Sequence, residues 1–474
     1  MHIIDFIIFG IYFAVVLAVG IYFYLKNQSR DDYYVGGRDI SASHVGLSIV
    51  ATDVGGGFSI GLGGLGFIMG LSGSWLLFTG LIGAWLAAVL IIPKLKTLDI
   101  KEGLLTYPDF LEKVYNKKVA VFAALISGIG YLGFTAAQIL AGAKLAAGSL
   151  FSDFTFMDPL QFSLFIMAAI IMLYTVLGGI KAVIYTDTIQ WIILLSGLLF
   201  AGLPILWFKL GGWDTISASL PASHFSLLNI KPITFINWFF TIVPIWFIAM
   251  TLYQRAFACR SVKEAKKAFF MAGVFEYPLM AFMGVSLGLL GRIVFPNADP
   301  EMALPMLLRD YLPIGVSGFV LAAYFSAVMS TADSCLIASS GNFVNDLIEK
   351  YLPHQLSHSG MVRLSQIVTL AVGLLALALA SSFTTILDLI LNAYAFMVSG
   401  LFVPTLAAYF LKEQDSHAAL VSMIMGGTTT IILIGFKIEI AFGLDPSIIG
   451  ISMSLIAFII MRFIKRNRFR QYEV

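Results

Sequence analysis

Charged residues are scarce in this chain of 474 residues, where Asp, Glu, Lys and Arg together account for 12%. Soluble globular proteins carry about 25%, so the composition excludes a soluble enzyme, a disordered protein and a nucleic-acid binder. Neither sign of charge predominates, because 29 basic residues face 27 acidic ones. The only two cysteines, Cys259 and Cys335, are too few for a disulfide framework or a thiolate metal site.

Hydrophobic residues make up 59% of the chain, and 43 glycines accompany them. A membrane-spanning helix needs roughly 20 mostly apolar residues, and about thirteen such stretches can be counted. Small residues let helices approach one another closely in lipid. The sequence therefore predicts an all-α, multi-pass protein of the plasma membrane, of the bacterial inner-membrane type, with about thirteen transmembrane helices.

The basic residues predict the orientation of these helices. Most of the 29 lie in one set of alternating loops, which contains Lys96, Arg255 and Lys350, or in the tail after Ile464. Lys144 is among the few that fall on the other side. Because cytoplasmic loops are rich in Lys and Arg, we expect the N-terminus outside and the C-terminus inside, which agrees with an odd number of helices.

Two hydrophobic stretches are interrupted. In the second, Asp53 is closely followed by Gly55–Gly57, and in the seventh Pro244 lies within Val243–Trp246. A buried acid and glycines at bilayer depth are costly, and secondary transporters use such broken helices to bind ions and solutes. If the first stretch is an additional helix, the interruptions begin two consecutive five-helix units. That arrangement is the inverted repeat of the LeuT-type fold.

A polar stripe marks the ninth hydrophobic stretch. Ala327, Ser330, Thr331 and Ser334 share one helix face, and Asp333 lies about 60° around the helix from Ser330. Oxygen ligands of this kind suit a hard cation, although hydroxyl groups also serve simply to hydrogen-bond neighbouring helices.

A Gly178–Gly179 turn precedes a further polar helix. This helix carries Asp187 and Gln190 on one face within an apolar zone. Asp187 lies about two helical turns beyond the glycines, so capping of the first helical turn is a poor explanation for its carboxylate.

These stretches resemble the sodium:solute symporter family, which includes sodium-coupled sugar, proline, sialic acid and choline transporters. The matching runs are Tyr33–Asp39, Ala51–Gly57, Gly178–Gln190 and Ser326–Ser334, and the resemblance covers about residues 5 to 410. It implies one LeuT-type transporter domain. Its parts are an extra N-terminal helix and inner loop (1–44), a first repeat (45–206), a second repeat (234–411), and two extra helices with a basic tail (412–474).

The resemblance also implies sodium sites. A first sodium ion would be bound by the carbonyl groups of Ala51, Val54 and Ala327 and the hydroxyl groups of Ser330 and Thr331. A second ion, which some members of the family bind, would contact Asp187, Asp333 and Ser334, together with Ser330.

The solute is less well defined by the resemblance. The motifs are most similar to the choline-transporter branch, yet Asp53, Gly133 and Ala249 stand where its cage would have tryptophan, and Asp53 matches the proline-transporter branch. We expect an amino acid, an amine or a polyol rather than a sugar. The residues expected to line the solute pocket are Asp53, Phe58, Tyr131, Phe134, Gln138, Trp246, Phe247 and Tyr394.

The sequence thus predicts a sodium-coupled symporter that imports a small organic solute by alternating access, with no enzymatic activity. One alternative is a proton-coupled or uncoupled transporter of the same fold, with Asp53, Asp187 or Asp333 titrating. Another is a membrane sensor or a channel-like protein. The number of subunits is left open.

Overall fold

The computed structural model describes residues 1–26, 35–177, 180–350 and 358–472. Tyr33 and Tyr34 of the first family motif and the Gly178–Gly179 turn lie outside the described residues. The described part is helical, with a single isolated bridge between Ile40 and Cys259. The first half contains α1 (Ile3–Lys26), α2 (Ala42–Asp53), α3 (Gly55–Met69), α4 (Trp75–Leu90), α5 (Ile92–Glu102), α6 (Tyr107–Val114), α7 (Lys117–Gly148), α8 (Pro159–Leu177), α9 (Ile180–Ser196), α10 (Leu203–Lys209) and α11 (Gly212–Ser219).

The second half begins with the broken pair α12 (Pro232–Ile248) and α13 (Met250–Ala258). It continues with α14 (Val262–Val274), α15 (Ala281–Val294), α16 (Pro300–Tyr311), α17 (Val316–Gly341), α18 (His358–Ala380), α19 (Ile386–Phe410), α20 (Ser416–Gly435) and α21 (Pro446–Tyr472). Segments with π-helical hydrogen bonding interrupt or extend three of the long helices, at Gly197–Gly202, Phe275–Met280 and Asn342–Glu349.

The helices have the length and composition of membrane spans. Among the described residues, nine helical segments are long and apolar enough to cross a membrane. The bent pair α12–α13 is a tenth if it is taken as one span. One of the nine, Gly55–Leu90, is interrupted at Gly70 and contains two of the predicted hydrophobic stretches. Ile3–Val15 and Pro159–Leu173 are shorter apolar helices. The predicted all-α, multi-span architecture is therefore confirmed.

Helix α17 lies at the centre of the molecule. The apolar part of its span is 100% buried, against 28% for the spans of α18 and α21, which are therefore peripheral. Helix α17 packs against α1, α3, α7 and α9. The polar stripe predicted on this helix is thus in the protein interior and does not face lipid.

Ion pairs join segments that the distribution of basic residues places on the same side of the membrane. On the predicted inner side, Asp99 pairs with Arg38 and with the buried Lys96. The distance from Nζ of Lys96 to Oδ2 of Asp99 is 2.7 Å. On the predicted outer side, Lys144 pairs with Glu301 at 2.7 Å. Glu301 also accepts hydrogen bonds from the first amide of α19, so this contact joins α7, α16 and α19.

Candidate functional site

Helices α2 and α3 meet at Val54 and Gly55, in the interior of the protein. Gly55 has a φ angle of 47°, and a Cβ atom at this position would lie 2.2 Å from Oγ1 of Thr331 on α17. The amide of Gly57 donates to Oε1 of Gln138 over 2.9 Å, which satisfies one of the free N–H groups at the start of α3. The interruption predicted after Asp53 is present, and its glycines allow close contact with α17.

Gly56 offers a test of this contact. A Cβ atom there would lie 2.0 Å from Cγ2 and 2.8 Å from Cα of Val328. We expect Gly56→Ala to destabilise the protein by about 1–3 kcal/mol or more, because α3 must move away from α17. The measurement is thermal unfolding of the purified protein in detergent. Gly10→Ala is the control, since nothing lies within 4 Å of its Cβ position, and equal melting temperatures for both variants would contradict the packing described.

The second broken helix differs from the prediction in its position. Helix α12 continues through Pro244 to Ile248, and the chain is extended at Ala249 (φ −68°, ψ 117°), where the two segments bend by 43°. The predicted interruption at Val243–Trp246 is therefore about one helical turn too early. A proline removes one amide hydrogen bond and crowds the preceding turn, which membrane helices tolerate, whereas an extended residue ends the helix.

The predicted ligands of the first sodium ion converge between α2 and α17. Oγ1 of Thr331 donates towards the carbonyl oxygens of Ala51 (2.8 Å) and Ala327 (3.0 Å). Ser330, the adjacent residue, has a buried hydroxyl without a hydrogen-bond partner. Val54 lies at the break itself. Several oxygen atoms therefore surround the junction of the broken helix with α17. One of them, the hydroxyl oxygen of Ser330, has no hydrogen-bond partner.

The residues predicted for the second ion surround a guanidinium group. Arg255, on α13, is fully buried, and its Nη2 lies 3.1 Å from Oδ2 of Asp187 and 3.1 Å from Oγ of Ser334. The same guanidinium donates to Thr52 and, through Nε, to Ser48 at 2.9 Å. Arg255 was predicted to lie in an inner loop, and this prediction is wrong. Arg255 lies in the buried helix Met250–Ala258, where Asp187 supplies the counterion that its guanidinium group needs.

Asp333 lies near Asp187 but has a different hydrogen-bond partner. Oγ1 of Thr175 donates to Oδ1 of Asp333 over 2.6 Å, and Oδ2 has no partner. The two carboxylates are close enough to interact electrostatically. They remain the predicted ligands of a second sodium ion, but in the structure Asp187 already has a positive partner.

Five of the residues predicted for the solute pocket form one group at the first break. The rings of Phe58 and Phe134 lie 6.1 Å and 5.1 Å from the ring of Tyr394. Asp53 is within electrostatic range of both Tyr131 and Tyr394. Each of these side chains is at most 7% exposed, so the group is closed off from both sides of the membrane.

The other three predicted pocket residues point in different directions. Gln138 caps α3 through Gly57, and its Nε2 is buried without a partner. Trp246 packs against Phe269 at 5.9 Å between the ring centroids, and Phe247 packs against Phe402 at 5.7 Å. The structure therefore does not bring Trp246 and Phe247 into the group around Tyr394.

Sequence reasoning missed Glu276. This residue lies in the π-helical segment Phe275–Met280 and is fully buried, and its carboxylate is close enough to that of Asp53 for the two to interact electrostatically. The available signal was an isolated acid in the eighth hydrophobic stretch, two residues before Pro278. An ionisable residue inside a membrane span is in itself an indication of function.

Two broken helices that meet around buried oxygen atoms and aromatic rings are the arrangement of a secondary transporter. The model of the sodium:solute symporter family matches residues 33–426, and the chain belongs to this family. It is 29% identical over 450 residues to the high-affinity proline transporter PutP of Bacillus subtilis (strain 168), covering 92% of this chain and 94% of that protein. It is 27% identical to the osmoregulated proline transporter OpuE of the same organism. That match covers 97% of this chain and 94% of OpuE.

Solved structures agree with this assignment at the level of the fold. A Na+-coupled sialic acid symporter in a substrate-bound outward-open state is similar, with a TM-score of 0.77, 20% identity and 96% of both chains covered. Mhp1, a nucleobase-cation-symport-1 family transporter in a closed conformation, has a TM-score of 0.60 at 13% identity, with 93% of this chain and 96% of that chain covered.

These likenesses confirm the predicted LeuT-type fold and identify sodium as the coupling ion. The protein is a sodium-coupled symporter of the plasma membrane that carries a small organic solute, and it is not an enzyme.

Proposed function

We propose that the solute is a small zwitterionic amino acid or imino acid, with proline as the first candidate. The observation that carries the proposal is the position of Asp53, a buried carboxylate at the broken helix beside a group of aromatic rings. A buried carboxylate without a counterion costs several kcal/mol, and an ammonium group would supply one. The two curated relatives described above are named as proline transporters, which supports the same class of solute.

The second break supports a site for the carboxylate of such a solute. Helix α13 begins at Met250 in the interior, and the amide of Thr251 in its first turn donates to the hydroxyl of Tyr131 over 3.1 Å. Helix N-termini carry a partial positive charge and attract anions. Tyr131 also interacts electrostatically with Asp53, and we propose that the two ends of one small zwitterion contact both features.

The sodium ion that drives transport is proposed to bind at Ala51, Val54, Ala327, Ser330 and Thr331. Sodium at this position would connect α2 with α17, and these two helices come from the first and the second predicted repeat. Ion binding would shift the population of existing conformations towards the outward-open state, in which the solute site is formed. The division into repeats at residues 45–206 and 234–411 stays a prediction.

We propose that one sodium ion moves with each solute molecule while Arg255 occupies the second cation position. The guanidinium contacts Asp187 and Ser334, which are the predicted ligands of a second ion, so sodium would have to displace it. A second sodium site at Asp187, Asp333 and Ser334 is therefore proposed only for a state in which Arg255 has left Asp187.

The sodium stoichiometry is a direct prediction from this arrangement. We expect a ratio of one sodium ion per solute molecule, measured from parallel uptake of radioactive sodium and solute into proteoliposomes. A ratio of two would show that Arg255 leaves its partners during the cycle. The variant Asp39→Asn, which alters an exposed ion pair with Arg260, serves as the control and should keep the ratio of the unmodified protein.

The solute class can be tested by competition. Radiolabelled proline is bound to the purified protein in saturating sodium, and unlabelled amino acids, betaine, choline, polyols and sugars are added in turn. We expect zwitterionic amino acids to displace proline most strongly. If proline does not bind and a neutral sugar drives sodium-dependent uptake, the proposed solute class is wrong, although the protein would still be a sodium symporter.

A further inference from the structure

Asp53 and Glu276 form a pair of facing carboxylates in the membrane interior. Asp53 ends α2, and Glu276 lies in the segment between α14 and α15 that packs against α2, close enough for the two acids to interact electrostatically. Both oxygens of Glu276 are buried and have no hydrogen-bond donor among the described residues. Arg255, the buried cation of this region, is held by Asp187. Within the described part of the chain, neither the acceptor oxygens of Glu276 nor the negative charge of the pair has a protein partner.

The surroundings of this pair point to a ligand. Gly80 on α4 leaves space for the carboxylate, because a Cβ atom there would lie 2.2 Å from Oε2 of Glu276. The same position is 3.9 Å from Nε1 of Trp246, a buried indole N–H that also has no hydrogen-bond partner. An unpartnered donor thus lies beside unpartnered acceptors. Tyr394 is within electrostatic range of both acids, so the pair borders the group of aromatic rings.

Two carboxylates at this depth require two positive charges if both are to be ionised, because like charges repel strongly in a medium of low dielectric constant. The proposed sodium site supplies one charge, since Ala51 and Val54 flank Asp53 along the chain. We propose that Asp53 and Glu276 together bind the ammonium group of the solute, which supplies the second charge. This inference rests on the proposed function and assigns Glu276 to the solute site.

An organic ammonium group fits this site better than a second metal ion does. Its N–H groups are donors, and the carboxylates offer acceptors from two different helices. Its charge is also attracted by the faces of aromatic rings such as Phe58 and Tyr394. A hard metal cation requires several oxygen ligands, whereas the indole N–H of Trp246 presents a hydrogen atom.

The arrangement also gives a physical reason for coupling. When sodium is absent, the solute ammonium enters a site with an uncompensated negative charge on Asp53 or Glu276. When sodium is present, ion and ammonium together neutralise both acids, so each should increase the affinity for the other by the same factor. Removal of the Glu276 charge should reduce the affinity for the solute. It should also reduce the factor by which sodium and solute increase each other's affinity.

The test compares solutes that differ only in the ammonium group. Binding of proline, N-methylproline and tetrahydrofuran-2-carboxylate, in which an ether oxygen replaces the nitrogen, is measured by competition in saturating sodium. We expect the unmodified protein to bind proline at least about tenfold more tightly than the ether analogue, because a buried charge without its partner is costly. Equal affinity for proline and the ether analogue would overturn the inference without any variant.

Glu276→Gln then assigns the preference to this residue. We expect the variant to bind proline about tenfold or more weakly, to lose most of its discrimination against the ether analogue, and to show a smaller effect of sodium on proline affinity. Glu276→Asp should restore part of the discrimination, and the exposed Glu413→Gln should match the unmodified protein. Unchanged discrimination in Glu276→Gln would remove Glu276 from the site, while continued sodium-driven uptake would leave the proposed function intact.

Discussion

Thr331→Ala is expected to raise the sodium concentration required for half-maximal transport by about 10- to 100-fold, with normal expression in the membrane. The hydroxyl of Thr331 lies 2.8 Å from the carbonyl oxygen of Ala51 and 3.0 Å from that of Ala327, which are two further proposed sodium ligands. A hydrogen bond or ligand to a charged group contributes about 1.5–3 kcal/mol, which corresponds to this range. The measurement is initial solute uptake into proteoliposomes over a series of sodium concentrations.

Two further variants separate ion binding from helix packing. Thr331→Ser keeps the hydroxyl group and should retain a sodium dependence close to that of the unmodified protein. Thr428→Ala removes an exposed helical threonine on α20 and should have no effect. If Thr331→Ala transports normally at low sodium, the first sodium site lies elsewhere.

Asp53→Asn is expected to have the largest effect of all single substitutions, with a loss of affinity of about 100-fold or more for solute, sodium or both. Asp53 lies between the sodium ligands Ala51 and Val54 along the chain and faces the carboxylate of Glu276. Loss of one partner from a buried charge pair costs about 3–5 kcal/mol. Equilibrium binding of radiolabelled proline at several sodium concentrations would report both affinities from one experiment.

The control for this substitution is Asp214→Asn, at an exposed position near the start of α11. It should leave both affinities unchanged. A protein with Asp53→Asn that takes up its solute at ordinary sodium and solute concentrations would show that Asp53 is only a structural residue.

Features that depend on a local sequence pattern were predicted correctly from the sequence. Asp53 and the following glycines predicted the first broken helix, because few arrangements accommodate a carboxylate and three glycines in a membrane span. The four-residue spacing of Ala327 and Thr331 placed both on one face of α17, and the structure brings that face to Ala51. The family resemblance then supplied the assignment of sodium.

The remaining features depend on contacts between helices that are distant in sequence. Arg255 and Asp187 are 68 residues apart, and nothing near Arg255 in the chain indicates a buried counterion. The sequence marks Glu276 as an isolated acid in a membrane span, but only the structure places it near Asp53. Trp246 and Phe247 were predicted to line the solute pocket, and this stays a prediction. The break at Ala249 directs Phe247 towards Phe402, while Trp246 contacts Phe269 and lies near Glu276.

Concentrative uptake into proteoliposomes under separately imposed gradients tests the central claim most directly. An inward sodium gradient should accumulate radiolabelled proline above its external concentration, and collapse of that gradient with a sodium ionophore should release it. An inward proton gradient without sodium should drive no accumulation. Equal accumulation with protons alone, or proline entry that never exceeds equilibration in any gradient, would contradict the account.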